Sequence, residues 1–149
     1  MSTLLVVHHT PSPSTRELVE AVLAGAHDPE ITGVEVRMVP ALGATVPDVL
    51  GADGYLFGTP ANFGYMSGAL KHFFDTVYYP CLGAVGGKPF GVWVHGGDDT
   101  TGAVHSVRTL AVGLGLVAVA PPLELTGAPD AAARAACYEL GAVVAASLS

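Results

Sequence analysis

The sequence predicts a three-layer α/β protein in which a doubly wound parallel sheet of five strands carries helices on both faces. Two observations lead to this class. Short apolar runs alternate with longer segments of helical periodicity, and the first run, Leu4–Val7, is apolar throughout. Such a run is typical of a strand that is buried on both faces, as the strands of parallel sheets are. Strands that alternate with helices connect through right-handed crossovers, which place the helices on both sides of the sheet.

The elements follow one another without an internal repeat or a linker. In the first helix, Leu18, Val19, Val22 and Leu23 have helical spacing. The predicted strands are Leu4–Val7, Val34–Val39, Gly54–Pro60, Pro89–Gly97 and Leu116–Pro122. The predicted helices are Thr15–Ala26, Ser67–Tyr79, Thr101–Gly115 and Pro129–Leu148. A polar, proline-containing link joins the second strand to the third.

Composition limits the range of functions. The 149 residues, of which 50% are hydrophobic, predict a single domain spanning residues 1–149 with a sizeable core. A net charge of -7, with the few basic residues scattered, argues against a nucleic-acid partner. Cys81 and Cys137 have neither metal-ligand spacing nor a disulfide framework. We see no signal peptide and no apolar run near the ~20 residues of a membrane span, so we expect a cytoplasmic protein.

Four hydroxyl groups stand on the turn between the first strand and the first helix, at Thr10, Ser12, Ser14 and Thr15. A helix N-terminus offers unpaired N–H groups and the positive end of the helix dipole. Because Arg16 is the one cation here, neutral donors would have to hold a phosphate. The alternative is that Ser14 or Thr15 merely caps the helix. The sequence leaves both interpretations open.

Two further segments follow the third and fourth strands. In GTPANFGYMSGALKHFFD, the aromatic and amide side chains on a glycine-rich loop suit contact with a flat heteroaromatic ring, although Phe63 and Met66 could instead fold the loop onto the core. We prefer that second interpretation for Met66. In HGGDDTTG, Asp98 and Asp99 could accept from a ring N–H or cap the third helix, and we expect Thr100 or Thr101 to be the cap. His95 is expected to be structural.

Two of these segments resemble known motifs. T-x-S-P-x-T, residues 10–15, is similar to the flavodoxin phosphate loop S/T-x-T-G-x-T. Gly58–Asp75 resembles G-T-P-x-x-F-G-x-M-S-G-x-x-K/R-x-F-x-D of the flavodoxin-like NAD(P)H:quinone oxidoreductases of the tryptophan-repressor-binding-protein type. The resemblance implies a flavodoxin-like fold with strand order 2-1-3-4-5 and non-covalently bound FMN. It assigns Thr10, Ser12, Ser14 and Thr15 to the phosphate, Pro60, Ala61, Asn62, Phe63 and Gly64 to the ring, and Gly96, Gly97 and Asp98 to a third flavin loop.

The chain departs from those patterns in three respects: the segment Leu110–Leu116 lacks the histidine pair that those enzymes place near the flavin, and two single positions differ. Pro13 stands where the phosphate loop has glycine, which removes one backbone donor. Asn62 stands where the quinone reductases often carry arginine.

The function implied by the resemblance is that of an FMN-binding oxidoreductase. Such a protein passes hydride or electrons from NADH or NADPH, a transient donor, through FMN to a quinone-like acceptor. That scheme requires no catalytic side chain and no metal. One alternative is a flavodoxin-type electron carrier that docks a redox partner protein through acidic surfaces. The second is a flavodoxin-fold binding module that has lost FMN, for which Pro13 is the best support.

The resemblance also implies a homodimer or homotetramer, since members of that family tend to form dimers or tetramers. The segment Phe73–Gly87 is rich in large apolar groups, and Tyr78, Tyr79 and Leu82 are predicted interface residues.

Overall fold

The computed structural model describes every residue from Met1 to Ser149 and contains one sheet of seven strands. The strands are β1 (Ser2–His8), β2 (Val34–Pro40), β3 (Gly54–Asn62), β4 (Tyr65–Met66), β5 (Pro89–Gly96), β6 (Val117–Ala118) and β7 (Leu123–Thr126). The helices are α1 (Pro13–Ala26), α2 (Val46–Gly51), α3 (Gly68–Cys81), α4 (Thr101–Gly113) and α5 (Ala131–Ala146), with a 3-10 turn at Ala41–Gly43. None of these helices combines the length and the apolar character needed to cross a bilayer.

The long strands are parallel and lie in the order β2-β1-β3-β5, and β6 and β7 both pair with the outer side of β5. Since β5 is the fourth predicted strand and β6 and β7 together replace the fifth, the predicted fold class and strand order are confirmed. In this topology the carboxyl ends of β1, β3 and β5 lie side by side at one edge of the sheet.

The fifth predicted strand, Leu116–Pro122, is wrong in its bounds. Ala118 pairs with Phe90 and Leu123 pairs with Trp93, so four residues on the outer strand face two on β5. Pro121 and Pro122 lie within this bulge, and proline has no N–H to donate to a ladder. The strand therefore breaks at the prolines and resumes as β7.

The predicted link between β2 and β3 contains a helix, α2, that the sequence analysis missed. Thr45 caps it through a capping box, in which its hydroxyl accepts from the Asp48 amide and the Asp48 carboxylate accepts from the Thr45 amide. Six residues are too few for helical periodicity to appear, so the cap and the first-turn proline, Pro47, are the sequence signals.

The core lies on both faces of the sheet. On one face, α1 and α5 cover Leu4, Val6, Leu56 and Trp93. On the other face, α2, α3 and α4 cover a larger cluster centred on Phe57, which contacts the rings of Phe73, Phe74 and Phe90. Each such side chain contributes about 1.5–3 kcal/mol by leaving water. The two buried layers hold the strands rigid, so the loops at the carboxyl edge start from fixed positions.

Candidate functional site at the carboxyl edge of the sheet

The three segments singled out in the sequence all follow strands that end at this edge. The His9 amide donates to the Gly58 carbonyl, which holds the first segment beside β3. A Cβ placed on Gly102 would overlap with the Gly64 carbonyl oxygen, and one on Gly96 would lie 3.2 Å from the Ala61 Cβ. The second and third segments therefore contact each other directly.

The first segment is a capped helix start. Ser12, and not Ser14 or Thr15, is the N-cap of α1, and its hydroxyl accepts from the Thr15 amide at 3.2 Å. Thr15 completes the capping box, since its hydroxyl accepts from the Ser12 amide at 3.0 Å. Their two hydroxyl oxygens are 2.9 Å apart. Capping therefore explains two of the four hydroxyls and leaves Thr10 and Ser14.

Ser14 is the free donor of this turn, because neither its amide nor its hydroxyl makes a hydrogen bond. The Thr10 amide is also unpaired. Pro13 occupies the first turn of α1, where a proline is well tolerated because its missing N–H would have no helical partner. Pro11 removes a second backbone donor from the same loop. The N–H groups that remain here for a ligand are those of Thr10 and Ser14.

Two histidines adjoin these donors. His8 ends β1 and is buried, and its Nδ1 lies 3.1 Å from the Thr10 hydroxyl oxygen. His8 Nε2 and His9 Nδ1 are buried without any hydrogen-bond partner. Burial lowers the pKa of His8, and the neighbouring His9 lowers it further. Neither histidine could be recognised as a site residue from the sequence, because nothing in the sequence shows that their nitrogens lack partners.

The second segment is a hairpin rather than the predicted loop. Pro60, Ala61 and Asn62 belong to β3, which turns back into the antiparallel β4. The two residues of the turn, Phe63 and Gly64, have φ of 53° and 73°. Two successive left-handed residues are the mark of a type I′ turn, which glycine adopts freely and phenylalanine rarely. The Phe63 side chain is fully exposed, whereas Met66 is buried, as expected for Met66.

Buried hydroxyls anchor this hairpin. The Ser67 amide donates to the Thr59 hydroxyl at 2.9 Å, and the Met66 amide donates to the Ser106 hydroxyl at 3.1 Å. Because both contacts are buried, losing either would leave an amide unpaired, at a cost of about 1–3 kcal/mol. The hairpin tip therefore presents Phe63 from a rigid base.

The third segment is held by a contact that the sequence analysis missed. Thr100 occupies the N-cap position of α4, but its side chain makes no capping hydrogen bond; its hydroxyl donates to Glu124 on β7 at 2.8 Å. The expected cap position, Thr100, is therefore confirmed, but the Asp99 carboxylate, and not the threonine hydroxyl, accepts from an amide of the first turn, that of Thr101. His95 Nε2 lies 2.7 Å from the Gly127 carbonyl oxygen, which confirms a structural role. Gly97 and Asp98 are exposed at the edge.

Other groups lie away from this edge. Burial raises the pKa of Cys137 to about 11 and also raises that of Cys81, so both stay protonated thiols at neutral pH. A cavity of about 340 Å³ separates the β6–β7 link from α5, and one of about 390 Å³ lies along α4. Neither is lined by any of the predicted flavin residues.

The family becomes clear when the chain is compared with known proteins. Residues 24–130 match the model of the NADPH-dependent FMN reductase family. The chain belongs to this family. A flavodoxin of Aquifex aeolicus is 33% identical, over 97% of this chain and 75% of its own length. An NAD(P)H dehydrogenase (quinone) of Acidithiobacillus ferrooxidans is 31% identical, over 85% of this chain and 74% of its own length.

The fold is that of the flavodoxins. The solved structure of a flavodoxin from the domain Archaea superposes with a TM-score of 0.83 at 18% identity, covering 98% of both chains. Family membership and fold together make this chain an FMN-dependent oxidoreductase with a flavodoxin-like fold.

The carboxyl edge fits FMN. Ser14 and Thr10 offer unpaired donors at the start of a 14-residue helix, where a phosphate is favoured. Gly64 and Gly97 have no atom within 4 Å of the position of a Cβ, which leaves room for a ring to approach the backbone. Because Pro11 and Pro13 lack an N–H, fewer backbone donors are available to a phosphate here, but those of Thr10 and Ser14 remain.

Proposed function

We propose that residues 1–149 act as one cytoplasmic FMN-binding domain that takes electrons from NADH or NADPH and passes them to a quinone or similar small acceptor. The observation that carries the proposal is the convergence of three segments at one edge: free donors at a helix start, an exposed aromatic hairpin tip and an exposed glycine, Gly97. The relatives named as quinone dehydrogenases support the choice of acceptor.

We assign the ligand-binding roles by segment. Bound FMN supplies the redox chemistry, and the protein's task is to hold and orient it. We assign binding of the phosphate end to Thr10, Ser12, Ser14 and Thr15. Ser14 donates directly, while Ser12 and Thr15 fix the turn through their capping box. We assign contact with the ring to Pro60, Ala61, Asn62, Phe63 and Gly64 on one side and to Gly96, Gly97 and Asp98 on the other.

No side chain is assigned to proton transfer. The two cysteines are buried thiols, and His95 is bound to the backbone. A nicotinamide donor and an acceptor would reach the site from the open surface beside Phe63.

The proposal is tested by flavin binding and turnover. Purified protein is titrated with FMN while the flavin absorbance near ~450 nm is followed. NADH or NADPH is then added with and without a quinone. We expect FMN to bind tightly and the nicotinamide to be consumed steadily only when the quinone is present. Protein that binds no flavin would instead be a module that has lost FMN.

An electron carrier is the second candidate. The net charge of -7 and the flavodoxin relative favour it. A carrier would bind FMN but consume neither nicotinamide by itself, and would turn over only with a separate reductase protein. The same titration, repeated with and without such a reductase, separates the two functions.

A further inference from the structure

His8 and His9 are unusual because each buries a ring nitrogen that has no partner. His8 has 8% of its surface exposed, so its orphaned Nε2 has little access to water. Buried polar atoms are nearly always paired in native proteins, and an exception commonly marks a missing water, ion or ligand. The unpaired nitrogens of both rings therefore point to a ligand at the end of β1.

The loop beside them lacks positive charge. His8 is linked to it directly, since its Nδ1 contacts the hydroxyl of Thr10. Pro11 and Pro13 remove two backbone donors, and the nearest cation, Arg16, is exposed. A phosphate dianion at this helix start would thus meet few donors and no buried cation. The imidazole of His8, which contacts Thr10, and that of His9, which precedes Thr10 in the chain, are the candidates to make up the difference.

We propose that His8 and His9 bind the phosphate end of the flavin, with His8 acting as a cationic imidazole that also orients the Thr10 hydroxyl. The inference rests on the proposed function, because it takes the ligand to be FMN. A protonated imidazole donates through both nitrogens, so His8 can hold Thr10 with Nδ1 and a phosphate oxygen with Nε2.

This arrangement makes binding depend on pH. Without ligand, burial and then His9 lower the pKa of His8, which favours the neutral ring. A phosphate dianion opposes both effects and raises that pKa, so binding takes up a proton and weakens as pH rises. Pro40 and Gly58, which pair with His8 on the neighbouring strands, have no titratable side chain. Nearby charged side chains are exposed or paired: Arg16, Glu17 and Glu20 on α1, and Asp48 on α2 with Arg37.

Calorimetric titration measures this proton directly. FMN and riboflavin are titrated into the protein at pH 7 in two buffers of different ionisation enthalpy. We expect net proton uptake with FMN and none with riboflavin, which has no phosphate. Titration of the FMN phosphate itself, with a second pKa near ~6, would give release and cannot imitate uptake.

Neutral replacements identify the residues. His8→Asn keeps a donor toward Thr10 but cannot become cationic, and His9→Gln removes the second imidazole. Each is expected to weaken FMN about tenfold, the effect of one charge-assisted hydrogen bond, while riboflavin binding stays unchanged, and His8→Asn is also expected to reduce proton uptake. His27→Gln is the matched control, because His27 lies at the opposite end of α1.

The outcomes are distinct. If wild-type protein binds FMN without taking up protons, or if both replacements weaken FMN and riboflavin equally, the inference is wrong and the proposed function stands. If wild-type protein binds neither flavin, the proposed function fails and the inference fails with it. Should a replacement not fold, as circular dichroism would show, the wild-type comparison of FMN with riboflavin decides.

Discussion

At the scale of single residues, the hydroxyl groups of the turn before α1 have two different roles. The hydroxyls of Ser12 and Thr15 contact each other and accept from backbone amides at the start of α1. Ser14 stands between them with amide and hydroxyl both free. One pair thus stabilises the helix, and the residue between the pair is available to a ligand.

Replacing Ser14 and Ser12 separately tests this division. Ser14→Ala is expected to weaken FMN about tenfold and riboflavin little, with unchanged stability, because it removes a donor and no internal contact. Ser12→Ala is expected to lower the free energy of unfolding by about 1 kcal/mol, the usual value of an N-cap. Urea unfolding and flavin titration measure the two effects. A large loss of stability in Ser14→Ala would contradict the assignment.

At the scale of elements, the hairpin and α4 are fitted together. Gly102 lies in the first turn of α4 directly against the Gly64 carbonyl, so the helix start and the hairpin tip cannot move independently. The Met66–Ser106 contact ties the same two elements one turn further along. The position of Phe63 therefore depends on a glycine in another element.

Gly102→Ala is expected to displace the hairpin tip and to weaken FMN and riboflavin alike by about tenfold or more. The new methyl group meets a backbone carbonyl, and overpacking of this kind costs about 1–3 kcal/mol. Gly68→Ala is the control: it also lies in the first turn of a helix, but its Cβ would meet nothing within 4 Å. Flavin titration and thermal unfolding of both variants provide the comparison. Equal flavin affinity in the two variants would show that the contact does not position the site.

At the scale of the whole molecule, the sequence predicted the class and the strand order because both follow from alternating apolar runs. It did not predict the break at Pro121–Pro122, since register against β5 is visible only in three dimensions. For the same reason it could not show that Thr100 reaches Glu124. The type I′ turn had a local signal, Gly64, but Phe63 beside it obscured that signal.

The surface at the end of α3 bears on assembly. Tyr78, the third predicted interface residue, packs half-buried against the core, whereas Tyr79 is 81% exposed and Leu82 lies exposed one residue beyond the helix. We predict that these residues meet a second copy of the chain in a homodimer or homotetramer. Tyr79→Glu is expected to shift the protein to monomer in sedimentation velocity, because a buried carboxylate without a partner opposes association. Leu42→Glu, at a site 68% exposed elsewhere, is the control. A wild-type monomer would contradict the prediction.

The broken outer strand also affects how readily copies of the protein associate at high concentration. A sheet edge with a continuous row of free N–H and C=O groups invites pairing with another chain and the growth of aggregates. Here the row is interrupted where Pro121 and Pro122 leave the ladder, and β6 and β7 are only two and four residues long. Pro121 and Pro122, which interrupt the predicted fifth strand, thus also protect that edge against self-association into fibrils.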